Sequence, residues 1–224
     1  MSRLIAIDGP DGCGKSSVAQ RVCERLRARG VTVAHLREPG STPFGERLRG
    51  ALLDPTTGPL DPLAEALAFS AARRAMLLQQ VLPALRDGSE VLVERCFLST
   101  VVYQCHAPLD VASRVDECLV RELTEAVHRE RLHDLIVLLD VDADVAAARA
   151  RAAGTLDRIE ALGRRFHARV REGFGAAAAP GSWPRRLLET RGAALVVVDA
   201  SASLDAVGER VLAAIDALPA GRRS

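Results

Sequence analysis

The 224 residues carry 30 basic and 29 acidic side chains, a formal net charge of +1, which excludes a polyanion-binding face spread over the whole surface and leaves any phosphate binding local. The length suits one substantial domain, expected over 1–224. Cys13, Cys23, Cys96, Cys105 and Cys118 form no C-x-x-C pair and follow no secretory signal, so they read as reduced thiols of a cytoplasmic protein. No apolar run approaches the roughly 18–20 residues of a membrane span, so neither a membrane nor a nucleic acid is expected as a partner.

In chain order, residues 4–7 are apolar and branched, as a buried strand should be, and 16–29 alternate apolar and charged residues at helical spacing. Between them, from Gly9 to Ser16, the spacing is G-x-x-x-x-G-K-S. Glycines at such spacing free the backbone to turn successive N–H groups toward one anion, at a helix N-terminus that adds partial positive charge. Gly9, Pro10, Asp11, Gly12, Cys13, Gly14, Lys15, Ser16 and Ser17 are therefore the expected cradle for the phosphates of ATP. Lys15 reaches the outer phosphates and the Ser16 hydroxyl completes a Mg²⁺ shell.

A second strand over 31–36 delivers Arg37 and Glu38 to a loop broken by Pro39 and Gly40. An amphipathic helix over 44–53, a loop over 54–59 and a long helix follow. The long helix is capped by Asp61, opened by Pro62, and carries Phe69 and Arg73 toward residue 82, near which Pro83 ends or kinks it. A third strand over 91–93 runs into Glu94 and Arg95. A helix opens over 99–104, and a stronger helical pattern covers 111–127 with Asp110 as its cap. Residues 135–139 form the clearest strand and end on Asp140. Helical patterns over 144–151 and 157–174 are interrupted at 153–155, 180–184 is a break, a fifth strand covers 194–198, and an amphipathic helix over 204–218 closes the chain.

Parallel strands need crossover connections, so five apolar strands separated by helices imply a parallel sheet covered on both faces. The expected fold is a three-layer α/β/α sandwich of the P-loop NTPase type. In such sheets ligands bind beyond the carboxyl ends of the strands. That rule gathers the glycine-rich loop, Arg37, Glu38, Glu94, Arg95 and Asp140 along one edge. Taken singly, Phe69 fits a helix core as well as a base platform, Arg149 and Arg151 fit a solvated helix face, and Cys96 and Cys105 fit packing better than nucleophilic chemistry.

The ordered series of motifs resembles the thymidylate kinases over nearly the whole chain. The opening D-G-x-D-G-x-G-K-S is similar to the family's phosphate loop. Arg37-Glu38-Pro39-Gly40 with Gly45-Glu46-Arg47-Leu48-Arg49 resembles R-E-P-G and G-E-x-x-R, and Phe69 to Arg73 resembles F-x-A-x-R. Glu94-Arg95 through Ser99-Thr100 to Tyr103-Gln104 follows D-R-x-x-x-S-T-x-x-Y-Q, and a segment over 149–160 ending in Asp157-Arg158-Ile159-Glu160 resembles the lid of the bacterial type.

The resemblance implies transfer of the ATP γ-phosphate to dTMP, with Mg²⁺, in a cytoplasmic homodimer whose partners are small nucleotides. It assigns Asp11 to the acceptor sugar, Phe69 to stacking on thymine, and Arg73 to a base carbonyl. Gln104 with Ser99 or Thr100 reads the remaining base edge, Tyr103 shapes the pocket by the sugar, and Arg37 and Glu38 line the cleft. It makes Arg95 the clamp on the acceptor 5′-phosphate, through the planar fork of a guanidinium. Lys15, Arg95, Asp11, Glu94 and a lid arginine form the expected catalytic set. The phosphate loop carries no arginine, so Arg149, Arg151 and Arg158 are the lid candidates, with Arg158 first. Glu94 stands where the family usually has Asp and is expected near the metal through water. Cys96 and Cys105 depart from an aromatic or histidine and from a glycine, and Ala152-Ala153 stand where relatives often place another cation. Alternative readings are a kinase for a deoxynucleoside, with Glu94 as base, or for a modified dUMP, and a catalytically weak nucleotide-binding relative.

Overall fold

The apolar runs form five strands, β1 (Leu4–Asp8), β2 (Val33–Arg37), β3 (Glu90–Glu94), β4 (Leu135–Asp140) and β5 (Ala194–Asp199), in a computed structural model that describes residues 2–142, 145–146, 148–149 and 157–218. Every pairing is parallel and the strand order is β2-β3-β1-β4-β5. Register sets the functional edge. Ile7 lies opposite Glu94 and Val137, and Arg37 also lies opposite Glu94, so β2, β3 and β1 end at one level and deliver polar residues to the same rim.

Helices cover both faces: α1 (Lys15–Ala28), α2 (Pro43–Leu53), α3 (Pro62–Met76), α4 (Leu82–Arg86), α5 (Phe97–Thr100), α6 (Glu117–Val127), α7 (Gly163–Ala178), α8 (Trp183–Thr190) and α9 (Leu204–Asp216). On one side Val18, Val22 and Leu26 of α1 and Val211 and Ile215 of α9 pack over Ile5, Ile7 and Val137. On the other, Phe97, Val170, Phe174 and Leu188 pack over Ala6, Ile136 and Leu138. The expected three-layer sandwich is the observed fold.

Local signals misplaced several boundaries. The long helix runs as α3 to Met76, widens into a π-helical turn over Leu77–Val81 and continues as α4, where Pro83 stands in the first turn. The helix expected from 111 starts at Glu117. Asp110 caps just the short 3₁₀ turn Val111–Ser113, accepting from Ala112 N, while Asp116 caps α6 by accepting from Cys118 N at 2.6 Å. The helix expected from 157 begins at Gly163, after a 3₁₀ turn over Glu160–Leu162. The break at 180–184 opens α8, with the Ser182 hydroxyl accepting from Arg185 N and Pro184 in the first turn. Arg151 and residues 152–156 lie outside the described residues.

Behind α5 lies a buried aromatic cluster, in which the rings of Phe97, His128, His133 and Trp183 stand 5.0–6.3 Å apart in successive contacts. His128 donates through Nδ1 to the Arg131 carbonyl at 3.1 Å, whereas His128 Nε2, His133 Nδ1 and Trp183 Nε1 are buried without partners. Burial holds the His128 imidazolium down to about 3 and His133 well below its ordinary value. The folded chain therefore binds fewer protons than the unfolded chain, and stability is lost as pH falls below the ordinary histidine value near 6.5.

Glu38 works in the opposite direction, because burial raises its carboxyl to about 7 and the folded state gains from its protonation as pH falls from there toward 4.5. The two slopes are separable by mutation. Replacing His133 by Leu is expected to remove about 2 kcal/mol of the acid destabilisation between pH 8 and pH 5, measured as the wild-type minus variant difference in urea unfolding free energy at the two pH values.

Candidate active site

The sharp turn between β1 and α1 depends on glycines. Gly9, Gly12 and Gly14 have φ of 145°, 77° and 92°, and a Cβ at Gly12 stands 2.1 Å from the Ala146 carbonyl oxygen. Gly14 occupies the N-cap of α1 and provides no side-chain cap, which leaves the first-turn N–H groups open to an anion. Lys15 folds back over the loop, donating through Nζ to the carbonyls of Gly9 at 2.9 Å and Pro10 at 2.8 Å, with Asp11 at 3.9 Å. Gly12, Gly14, Lys15, Ser16 and Ser17 line one end of a cavity of about 700 Å³.

Arg95 joins that loop to the rest of the rim. It follows β3 with φ of 71°, and its N–H donates to the Ile7 carbonyl at 2.8 Å, so its backbone is clamped across the sheet. Its side chain donates to Asp11 through Nη2 and to Ser99 Oγ through Nη1 at 3.1 Å, and it lies over the Tyr103 ring at 5.4 Å. Tyr103 donates its phenol proton to Asp11 at 2.7 Å. Burial raises the Asp11 carboxyl, but Arg95 and Lys15 outweigh it and hold it at about 2. Beneath this group Asp8 is fully buried and accepts from Gly9 N, Ser99 Oγ, Ser99 N and Cys96 N at 2.8–3.1 Å. One carboxylate thus ties the phosphate loop to the segment that carries Arg95.

At the other end of the cavity α3 presents Phe69 and Arg73. Phe69 both packs against the core and lines the cavity. Arg73 donates from Nε to Glu38 at 2.6 Å and from Nη2 to the Cys96 carbonyl and Thr100 Oγ1 at 3.2 Å each. Glu38 precedes a cis peptide to Pro39, and its Oε1 is buried without a partner. Gln104 donates from Nε2 to Glu65 at 2.8 Å, while its Oε1 is likewise buried and unpartnered. Arg37 lines the cavity while paired with Glu46 at 3.0 Å.

Glu94 accepts from Ser16 Oγ at 2.5 Å and from His35 Nε2 at 2.9 Å. Burial raises its carboxyl, but the bonds from His35 and Ser16 outweigh that, so it is held below the usual range. Mg²⁺ is a hard cation that prefers oxygen and often binds through one or two protein groups, with substrate phosphates and water completing the shell. The hydroxyl–carboxylate pair of Ser16 and Glu94 beside the phosphate loop fits such an ion. No cluster of three or more His, Cys, Asp or Glu that could hold a metal occurs among the described residues.

The lid residues separate. Arg149 lines the cavity and donates to the Ala200 carbonyl at 3.0 Å, and Arg151 lies outside the described residues. Arg158, the first lid candidate, turns inward in this structure. It is 9% exposed, donates from Nε to the Leu52 carbonyl at 2.7 Å and from Nη2 to Glu65 at 2.5 Å, and does not line the cavity. Asp140 also stays out of the cavity and pairs with Arg171 at 3.2 Å.

A thymidylate kinase family model matches residues 7–211. The chain is 36% identical to a thymidylate kinase of Thermomicrobium roseum over 228 aligned positions covering 100% of both chains. It is 40% identical to one of Pseudomonas fluorescens, covering 79% of this chain and 83% of the relative, and 37% identical to one of Chlamydia caviae, covering 76% and 81%. The chain belongs to the thymidylate kinase family.

Several polar residues missed in the sequence hold other residues of the site in place. Asp8 carries a local signal, an acidic residue ending an otherwise apolar strand, as Glu94 does. Glu65 stands four residues before Phe69 and eight before Arg73, the spacing of one helix face, which was enough to place it beside them. Arg49 lines the cavity from α2 and donates to the Pro39 carbonyl at 3.1 Å, and His35 holds Glu94. Arg49 is the arginine of the G-E-x-x-R segment, whereas His35 has no signal beyond its neighbourhood to a motif.

Proposed function

We propose that this chain is an ATP-dependent dTMP kinase that transfers the γ-phosphoryl group to the 5′-phosphate of dTMP and yields ADP and dTDP. The observation that carries the reading is the pair of cations, Lys15 at the glycine-rich loop and Arg95 at the end of β3, on one cavity and bridged by Asp11. A protein that merely binds ATP has no use for a second phosphate clamp across from the first.

In this reading the first-turn N–H groups of α1 and Lys15 hold the donor phosphates, and Arg95 takes the acceptor phosphate in a bidentate grip. Asp11 positions Arg95 and the acceptor sugar, and Tyr103 closes the pocket against it. Phe69 stacks on the base, Arg73 meets a base carbonyl, and Gln104 takes the neighbouring edge, with Ser99 and Thr100 as supports and Arg37 and Glu38 as cleft wall. Ser16 and, through water, Glu94 would hold a Mg²⁺ ion, which would supply charge neutralisation for the donor phosphates. The acceptor is already an oxyanion, so alignment and charge stabilisation suffice without a general base. Arg149 takes the lid part that the motif resemblance gave first to Arg158, because of the two described candidates Arg149 lines the cavity.

Glu94 is unsuited to deprotonate a nucleoside 5′-hydroxyl, since Ser16 and His35 already occupy it and lower its basicity. The domain acts in the cytoplasm as a homodimer. Leu63 and Leu67 on α3 and Leu78 in the π-helical turn after it are exposed and supply apolar surface for that pairing; a monomeric mass by light scattering at micromolar concentration counts against it. ADP release from ATP that depends on added dTMP tests the transferase, and ADP release that ignores dTMP contradicts it.

A further inference from the structure

We infer that Glu65 is a positioning residue for base recognition: it fixes the amide of Gln104 so that Oε1 is presented as an acceptor, which selects a pyrimidine carrying an N3–H. The inference rests on the proposed dTMP kinase reading and goes beyond it by assigning a task to residues that need not touch substrate.

The chemistry begins with which atoms donate. An ionised carboxylate only accepts, so of the two ends of the Gln104 amide it can hold only the NH₂ end. Gln104 Nε2 donates to Glu65 Oε2 at 2.8 Å, and Arg158 Nη2 meets Glu65 Oε1 at 2.5 Å. The guanidinium orients the carboxylate, and Arg158 is in turn fixed by donation to the Leu52 carbonyl and by its own N–H to the Leu53 carbonyl at 3.0 Å.

The amide consequently cannot flip without facing its carbonyl oxygen against a carboxylate. Its Oε1 is left buried and without a partner, on a residue that lines the cavity beside Phe69 and Arg73. A buried acceptor in that state is completed by a ligand N–H and opposed by a ligand lone pair. Thymine and uracil offer N–H at N3, whereas cytosine offers a lone pair there. Arg158 thereby acquires a role at the root of the lid, as the anchor of a base-reading relay.

The test is Glu65→Gln, whose amide can both donate and accept and so imposes no orientation on Gln104. The Michaelis constant for dTMP is expected to rise about tenfold with kcat changed less than about twofold, the pattern of lost uniform binding. The preference for dTMP over dCMP in kcat/KM should fall about tenfold, because a freed amide can offer its N–H to cytosine. In a Gln104→Leu background the same substitution should add less than about twofold, since the effect passes through Gln104.

An unchanged dTMP/dCMP preference, or a full effect in the Gln104→Leu background, overturns the inference. Wild-type enzyme that does not phosphorylate dTMP overturns the functional reading itself, a result distinct from either. If Glu65→Gln does not fold, side-chain amide exchange in the wild-type chain decides: Gln104 NH₂ protons should exchange much more slowly than those of exposed Gln20, and equal rates refute the contact with Glu65.

Discussion

Lys15→Ala is expected to lower kcat/KM for dTMP phosphorylation by about 10³-fold, the scale of removing one preorganised charge from a developing phosphoryl-transfer transition state. The ammonium is the cation closest in sequence to the helix N-terminus, and its present bonds, to the Gly9 and Pro10 carbonyls, are exchangeable for phosphate oxygens without moving the backbone. Those carbonyls can turn to water when the ammonium is lost, so the fold should survive. The check is single-turnover product formation under saturating ATP, with a thermal melt to confirm folding. Loss of turnover in a folded variant fits the assignment, and retention of turnover within tenfold removes Lys15 from the chemistry.

Arg95→Ala should be as damaging and should fail differently. Its guanidinium is partly buried against Asp11, Ser99 and the Tyr103 ring. Burial disfavours its charge, yet Asp11 and Asp8 outweigh that and raise its pKa well above the ordinary value. Removal deletes the acceptor clamp and frees Asp11, whose carboxyl then rises from about 2 because its largest opposing charge is gone. We expect kcat/KM for dTMP to fall about 10³-fold with a Michaelis constant for ATP changed little, and Arg95→Lys to recover a minor part, since a point charge replaces a planar fork. A variant with normal dTMP kinetics separates Arg95 from the acceptor.

What was legible in the sequence and what was not divide along a physical line. The glycine spacing at 9–16 and the apolar runs that became the strands are local signals, and both the phosphate loop and the sheet followed from them. Parallel pairing then carried Glu94 and Arg95 to the loop from some 80 residues away in sequence, because strand ends converge in this architecture. Helix starts were ambiguous where the signal occurs twice: Asp110 and Asp116 both cap, and only packing makes the second one open a full helix.

Arg158 shows the harder limit. Its motif marks it as a lid residue, but whether its side chain meets the cavity or turns inward to Glu65 depends on a carboxylate 93 residues earlier. Asp8 is similar: the five polar hydrogens it gathers come from the phosphate loop and from the segment after β3, and no window of sequence contains both. Cys96 and Cys105 pack inside the fold, and the Cys96 thiol also donates to Asp8 at 3.3 Å. Both thiols are buried, and burial pushes the Cys105 thiol up to about 12 and the Cys96 thiol well above its ordinary value, so neither is poised as a nucleophile.

The central claim is a phosphoryl transfer to the 5′-phosphate of a thymine nucleotide, and an acceptor panel tests it most directly. The purified chain is incubated with ATP, Mg²⁺ and, separately, thymidine, dTMP, dUMP, dCMP and dAMP, and the nucleotide products are resolved by chromatography. The account predicts dTDP from dTMP in preference to every other product. Thymidine converted to dTMP, or no product from dTMP while another acceptor is consumed, contradicts it.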